Sequence, residues 1–125
     1  MNLFTQKFVM DRLKISRSCC WRIFGKGGKR GLFSERRVLD ILNAHTYNMK
    51  DLSFLPDNFI TVEETAKTIS VNGMPISTKR LVNWVNNLDF EVPHIKFSSH
   101  LIRIQADLLE KWVEETLAGE GKDSH

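Results

Sequence analysis

A serine-capped amphipathic stretch runs straight into a loop with four glycines in seven residues, which restricts this chain to short helices joined by tight connections. Ser16-Arg17-Ser18-Cys19-Cys20-Trp21-Arg22-Ile23-Phe24 reads as a helix start, because the Ser16 hydroxyl can accept amide protons that a first turn leaves unpaired. On a helix Cys20, Ile23 and Phe24 share one face, and Arg17, Ser18, Trp21 and Arg22 share the other. Residues 25–31, Gly-Lys-Gly-Gly-Lys-Arg-Gly, then end it, since Gly25 accepts the left-handed conformation of a helix stop. The loop is too glycine-rich for a helix and too basic for a core. Around it stand nine bases, Arg12, Lys14, Arg17, Arg22, Lys26, Lys29, Arg30, Arg36 and Arg37, opposed over residues 12–37 only by Glu35. A basic helix face beside a basic loop suits a polyanion.

The overall charge of +3 conceals an asymmetry. Residues 1–50 hold 11 Lys and Arg against 3 acids, a net +8, whereas residues 51–125 hold 7 against 12, a net −5. The basic half attracts phosphates through counterion release, and the acidic half faces solvent, a protein partner or a second copy of the chain. With 42% hydrophobic and 26% charged residues, general disorder is excluded. No apolar run reaches the roughly 18 residues of a membrane span, and no signal-peptide pattern is present, so a cytoplasmic protein with no membrane partner is expected.

Chemistry is sparse. Cys19 and Cys20 are adjacent and do not easily bridge each other; Cys20, on the core stripe, reads as a small buried hydrophobe. His45, His94, His100 and His125 are scattered, with no C-x-x-C, so no metal or other cofactor is expected. The glycine loop lacks the G-x-x-x-x-G-K-[ST] spacing of a phosphate loop and reads instead as a short basic wing. Glu63 with Glu64, and Glu114 with Glu115, point apart on a helix, and no nucleophile, base and orienter set is visible, so no enzyme is expected.

Along the chain, Phe8, Val9, Met10 and Leu13 predict a first helix over residues 5–14, followed after Ile15-Ser16 by the basic one. Ser34 caps a third helix carrying Val38, Leu39, Ile41 and Leu42. Residues 1–43 are thereby expected to form a basic helix-turn-helix domain with a core of Phe8, Val9, Leu13, Cys20, Ile23, Phe24, Val38, Leu39 and Leu42. Residues 44–58 lose the period and form a connector that Leu52, Phe54 and Leu55 pack against its neighbours. Residues 59–119 then form a second domain. Thr61-Val62-Glu63-Glu64 is a capping box, residues 70–75 a turn, and Ser77 caps a helix with Leu81, Trp84, Val85 and Leu88 on one face. Residues 92–97 and 101–104 alternate as a hairpin around Ser98-Ser99-His100. Asp107-Leu108-Leu109-Glu110 is read as a second capping box opening the last helix, and residues 120–125 as a frayed tail. The order of elements repeats between halves, with Ser16 matching Ser77 and Cys20 matching Leu81.

Ile60-Thr61-Val62-Glu63-Glu64-Thr65-Ala66, Ser77 with Thr78 to Val85, Leu101-Ile102-Arg103-Ile104 and Asp107-Leu108-Leu109-Glu110-Lys111-Trp112 together resemble the winged helix-turn-helix of phage excisionases and MerR-type regulators. The resemblance spans residues 60–114 and, more weakly, 5–43. It implies a mainly α fold with a small β-hairpin wing, in two tandem winged helix-turn-helix domains. It also implies a second helix in the major groove and a hairpin wing against the DNA backbone or the minor groove. The residues expected to contact duplex DNA are Arg17, Ser18, Arg22, Lys26, Lys29, Arg30 and Arg36 of the first half. Lys79, Arg80, Asn83, Lys96 and Arg103 are the corresponding set in the second. Trp21 either stacks on DNA or covers the loop or third helix. The implied role is that of a phage or mobile-element architectural factor or transcriptional regulator. The alternative is an adaptor that captures another DNA-handling protein, such as a terminase small subunit, through its acidic half.

Overall fold

The computed structural model describes residues 1–28 and 30–118; Lys29, Gly119 and the tail over residues 120–125 lie outside the described residues. The chain opens with β1 (Leu3–Thr5), α1 (Gln6–Leu13) and α2 (Arg17–Phe24), then β2 (Leu32–Ser34) and α3 (Glu35–Asn43). It continues with β3 (Thr46–Tyr47), β4 (Phe59–Thr61), α4 (Val62–Thr68), β5 (Ser70–Val71), β6 (Met74–Pro75) and α5 (Thr78–Asn86). A single 3-10 turn (Leu88–Phe90) leads to β7 (His94–Ser98), β8 (Leu101–Gln105), α6 (Ala106–Trp112) and a π-helical extension (Val113–Leu117).

The mainly α reading with two tandem winged helix-turn-helix domains is overturned. The molecule is mixed α/β, 48% helical and 21% strand, with three antiparallel sheets. β1 pairs with β2, β5 with β6, and a four-stranded sheet runs in the order β3-β7-β8-β4. The physical reason is length. Six of the eight strands span two or three residues, too few to show an alternation, and most are created by partners distant in sequence. The hairpin β7–β8 forms where its alternation placed it, with a bulge between Lys96 and Ser98, but it is no free wing. β3 and β4 flank it on both sides, so its edges are paired.

Helix starts follow local chemistry. Thr5, Ser16, Ser34, Thr61 and Ser77 each accept the amide proton three residues ahead, and Thr61 with Glu64 completes a capping box. The box read at Asp107 does not form. Pairing of β8 with β4 runs on to Gln105, so α6 begins at Ala106 and Asp107 falls inside the first turn, where its carboxylate accepts the Asn58 amide at 2.7 Å. The turn read at residues 70–75 is a small hairpin. Asn72 (φ 56°) and Gly73 (φ 80°) supply the two left-handed residues of a type I′ turn, and the Ile76 amide donates to the Ile69 carbonyl at 3.0 Å.

The four-stranded sheet is a wall shared by two cores. One face presents Phe59, Ile95, Phe97 and Leu101 to Val9, Leu13, Cys20, Phe24, Val38 and Leu42 of the first half. The other presents Ile60, Ile102 and Ile104 to Val62, Leu81, Val85, Leu109 and Trp112. Alternation along β8 therefore puts Leu101, Arg103 and Gln105 towards the first half. Arg103, 7% exposed, uses that position to close the C-terminus of α1: Nε donates to the Leu13 carbonyl at 2.7 Å and Nη2 to the Lys14 carbonyl at 2.6 Å. Beside it Lys14, left-handed at φ 55°, extends Nζ to the Glu64 carboxylate at 2.9 Å.

Candidate nucleic-acid interface

α2 is held by its inner face. Cys20 and Phe24 are buried, while Arg17, Ser18, Trp21 and Arg22 stand in solvent. The Arg22 guanidinium donates from Nη2 to Cys19 Sγ at 3.2 Å. The Ser16 hydroxyl, and with it the charge of Arg22, lowers the Cys19 thiol pKa, whereas burial raises that of Cys20. Trp21 is 43% exposed and carries the Lys26 ammonium over its ring, 5.3 Å from the centroid, so it lies on the basic face against the glycine loop.

Glycines of the loop bond to its own backbone. Gly28 donates to Leu32 and Gly31 to Gly28, each at 2.9 Å. Gly27 (φ 85°) has no substitute there, because a Cβ would sit 2.8 Å from the Gly31 carbonyl carbon. This folding presents Lys26 and Arg30 outward.

The described bases of the 12–37 cluster fall into two groups. Three hold the fold together: Arg12 donates to the Leu55 carbonyl at 3.0 Å, Lys14 pairs with Glu64, and Arg37 donates to the Phe24 carbonyl at 3.1 Å. Five remain on the surface. Arg17, Arg22, Lys26 and Arg30 have no carboxylate partner among the described residues, and Arg36 meets Asp40 only at 4.0 Å with both side chains open to water. The Ser18 hydroxyl lies 3.2 Å from that of Ser16.

The second-half residues are placed differently. Lys79, Arg80 and Asn83 are exposed on α5, with the Arg80 guanidinium over the Trp84 ring at 5.2 Å. Lys96 donates to Asn86 Oδ1 at 2.8 Å. Arg103 is withdrawn from any DNA surface: its donors point inward to carbonyls, burial pulls its pKa below the usual arginine value, and nearby Glu63 and Glu64 oppose that shift. His45, Phe97 and Ser98 were not singled out for this site by the residue pattern, and the fold brings them against the Arg22 end of α2. The available signal was the hairpin itself, whose alternation sends Ile95, Phe97 and Leu101 to one face and Ile102 and Ile104 to the other, so that both faces need cover.

Among the described residues no group of three or more His, Cys, Asp or Glu could hold a metal ion, and no helix is long and apolar enough to cross a membrane. No protein-family model matches the sequence, and no curated protein or solved structure matches it either.

Proposed function

We propose that this protein binds duplex DNA, with the outer face of α2 in the major groove and the glycine loop against the phosphate backbone. The observation that carries the reading is the sorting of the bases. Arg17, Arg22, Lys26 and Arg30 project from an anchored helix and the glycine loop with no carboxylate partner among the described residues, while neighbouring bases are consumed by the fold. Such a cluster recruits phosphates, and arginine at the centre of a helix face fits the guanine edge bidentately. The resemblance to excisionases supports an architectural or regulatory role in a phage or mobile element.

The test is binding of the full chain to an arbitrary duplex across a salt series, with Arg17→Ala/Arg22→Ala beside wild type. Tight binding with a steep salt slope, flattened by about two charges in the variant, is the expected result. No binding at low salt overturns the reading. A second reading, an adaptor for a DNA-handling protein, is favoured by one feature of the acidic half. Leu88 is 88% exposed, three residues before Glu91, which lines a groove together with Leu52, Pro93, Leu108 and Trp112. A stoichiometric protein complex that survives Arg17→Ala/Arg22→Ala and is lost on Leu88→Asp would support it.

A further inference from the structure

Between the C-terminal end of α2 and the turn end of the β7–β8 hairpin lies a crevice of about 220 Å³, lined by Arg22, Ile23, His45, Phe97, Ser98 and Leu101. Its floor is apolar. The Phe97 ring meets Phe24 edge-on at 6.4 Å and His45 at 5.2 Å. Arg22, His45 and Ser98 are the polar residues of its lining. The Lys96 amide donates to the His45 carbonyl at 3.0 Å, which fixes His45 to the hairpin. Ser98, Ser99 and His100 at the turn are exposed.

The glycine loop lies on the other flank of α2. Lys26 sits over Trp21, whereas the hairpin packs beside Ile23, two residues on and so about 200° around the helix. α2 thus stands between two walls, one from its own half and one from the other half of the chain. A helix in a major groove about 12 Å wide has a sugar-phosphate strand on each side.

We propose that the β7–β8 turn is the second backbone clamp of the α2 site. The glycine loop meets one DNA strand, and His45, Ser98 and His100 meet the other. A deoxyribose covers the apolar floor at Phe97 and Leu101, and its phosphate is taken by Arg22 and the Ser98 hydroxyl. The inference rests on the duplex-binding reading above and deepens it. The hairpin of the acidic half, which carries few bases of its own, serves the helix of the basic half.

The experiment uses the full chain and a fluorescent duplex of arbitrary sequence. Ser98→Glu/His100→Glu is compared with wild type and with a control of equal charge on the last helix, Ala106→Glu/Thr116→Glu. In parallel, a benzophenone amino acid is introduced in place of Ser99, of Lys26 or of Thr116, and photo-crosslinking to the duplex is measured. The clamp predicts affinity weakened about tenfold or more by the turn variant and less than about threefold by the control. It also predicts crosslinks from positions 26 and 99 but not 116. If wild type binds but position 99 does not crosslink, the clamp is overturned whatever the turn variant does, and the α2 reading stands. A turn variant that behaves as the control likewise overturns the clamp alone. If wild type binds no duplex at low salt, both fall.

Discussion

The two halves start helices with the same residues, a threonine-capped helix followed by a serine-capped one, yet they place their bases differently. In the first, α1 turns into α2 through left-handed Lys14 and buried Ile15, and α2 points Arg17 and Arg22 outward. In the second, a hairpin separates α4 from α5, Arg80 lies on Trp84, and Lys96 is bonded to Asn86. Arg103, the most basic element of the second hairpin, is buried against the C-terminus of α1. A base is therefore not a surface contact by virtue of its position in a motif. What distinguishes Arg22 from Arg103 is whether the fold offers carbonyls that need its protons.

The strongest way to break this contrast is Arg103→Met. The methionine keeps an apolar side chain there but leaves the buried Leu13 carbonyl and the part-buried Lys14 carbonyl without these donors, at an expected cost of about 2–4 kcal/mol in urea unfolding. Arg103→Lys restores little, since a point charge cannot span carbonyls contacted by Nε and Nη2 together. If instead Arg103→Met unfolds like wild type and loses DNA affinity, Arg103 belongs to the surface and the contrast fails.

Next in size is the effect on DNA itself. Arg17→Ala/Arg22→Ala should weaken duplex binding by about tenfold or more near 0.1 M salt, while unfolding shifts by less than about 0.5 kcal/mol. Lys79→Ala/Arg80→Ala on α5 should cost less than about threefold in the same titration. Equal losses would mean that the two helices share the work.

Two glycines sharpen the comparison further. Gly73→Ala meets no atom within 4 Å and suffers only the left-handed backbone penalty, about 1 kcal/mol of stability, with DNA affinity intact. Gly27→Ala adds a collision with the Gly31 backbone, so the loop must rearrange. Its signature is lost affinity as well as lost stability, read by running binding and thermal unfolding on both variants.

Legibility in the sequence followed the same divide between local and distant causes. Ser16, Ser34, Ser77 and the Thr61-Glu64 box were readable because a cap is decided within four residues. The exposed face of α2 was readable from its period. The strands at residues 3–5, 32–34 and 46–47 were not, being too short for a pattern and paired across the chain. Asp107 had the composition of a cap, but strand pairing at Gln105 moved the helix start past it. Arg103 was illegible for the same reason, since its acceptors lie about ninety positions away.

The smallest effect concerns the Lys14–Glu64 pair, the charged contact that joins the two halves beside Arg103. The Lys14 ammonium, and then the Thr61 amide, hold the Glu64 carboxyl at about 2, below its ordinary 4.5. A carboxylate depressed in the folded state contributes stability that is fully present above its unfolded pKa and is lost as pH falls through the folded one. The window is therefore from about pH 4.5 down to about 2. The Glu64 side chain is 47% exposed, so water and salt screen the pair and the contribution is a small part of total stability. Urea unfolding of wild type and Glu64→Gln at several pH values provides the check. The gap between them should be widest near neutrality, narrow through that window and shrink with added salt. Glu64→Gln also weakens the capping box, which Lys14→Met leaves in place. A gap of similar pH dependence but smaller size in Lys14→Met would assign the difference between the two to the cap and the remainder to the bridge between the halves.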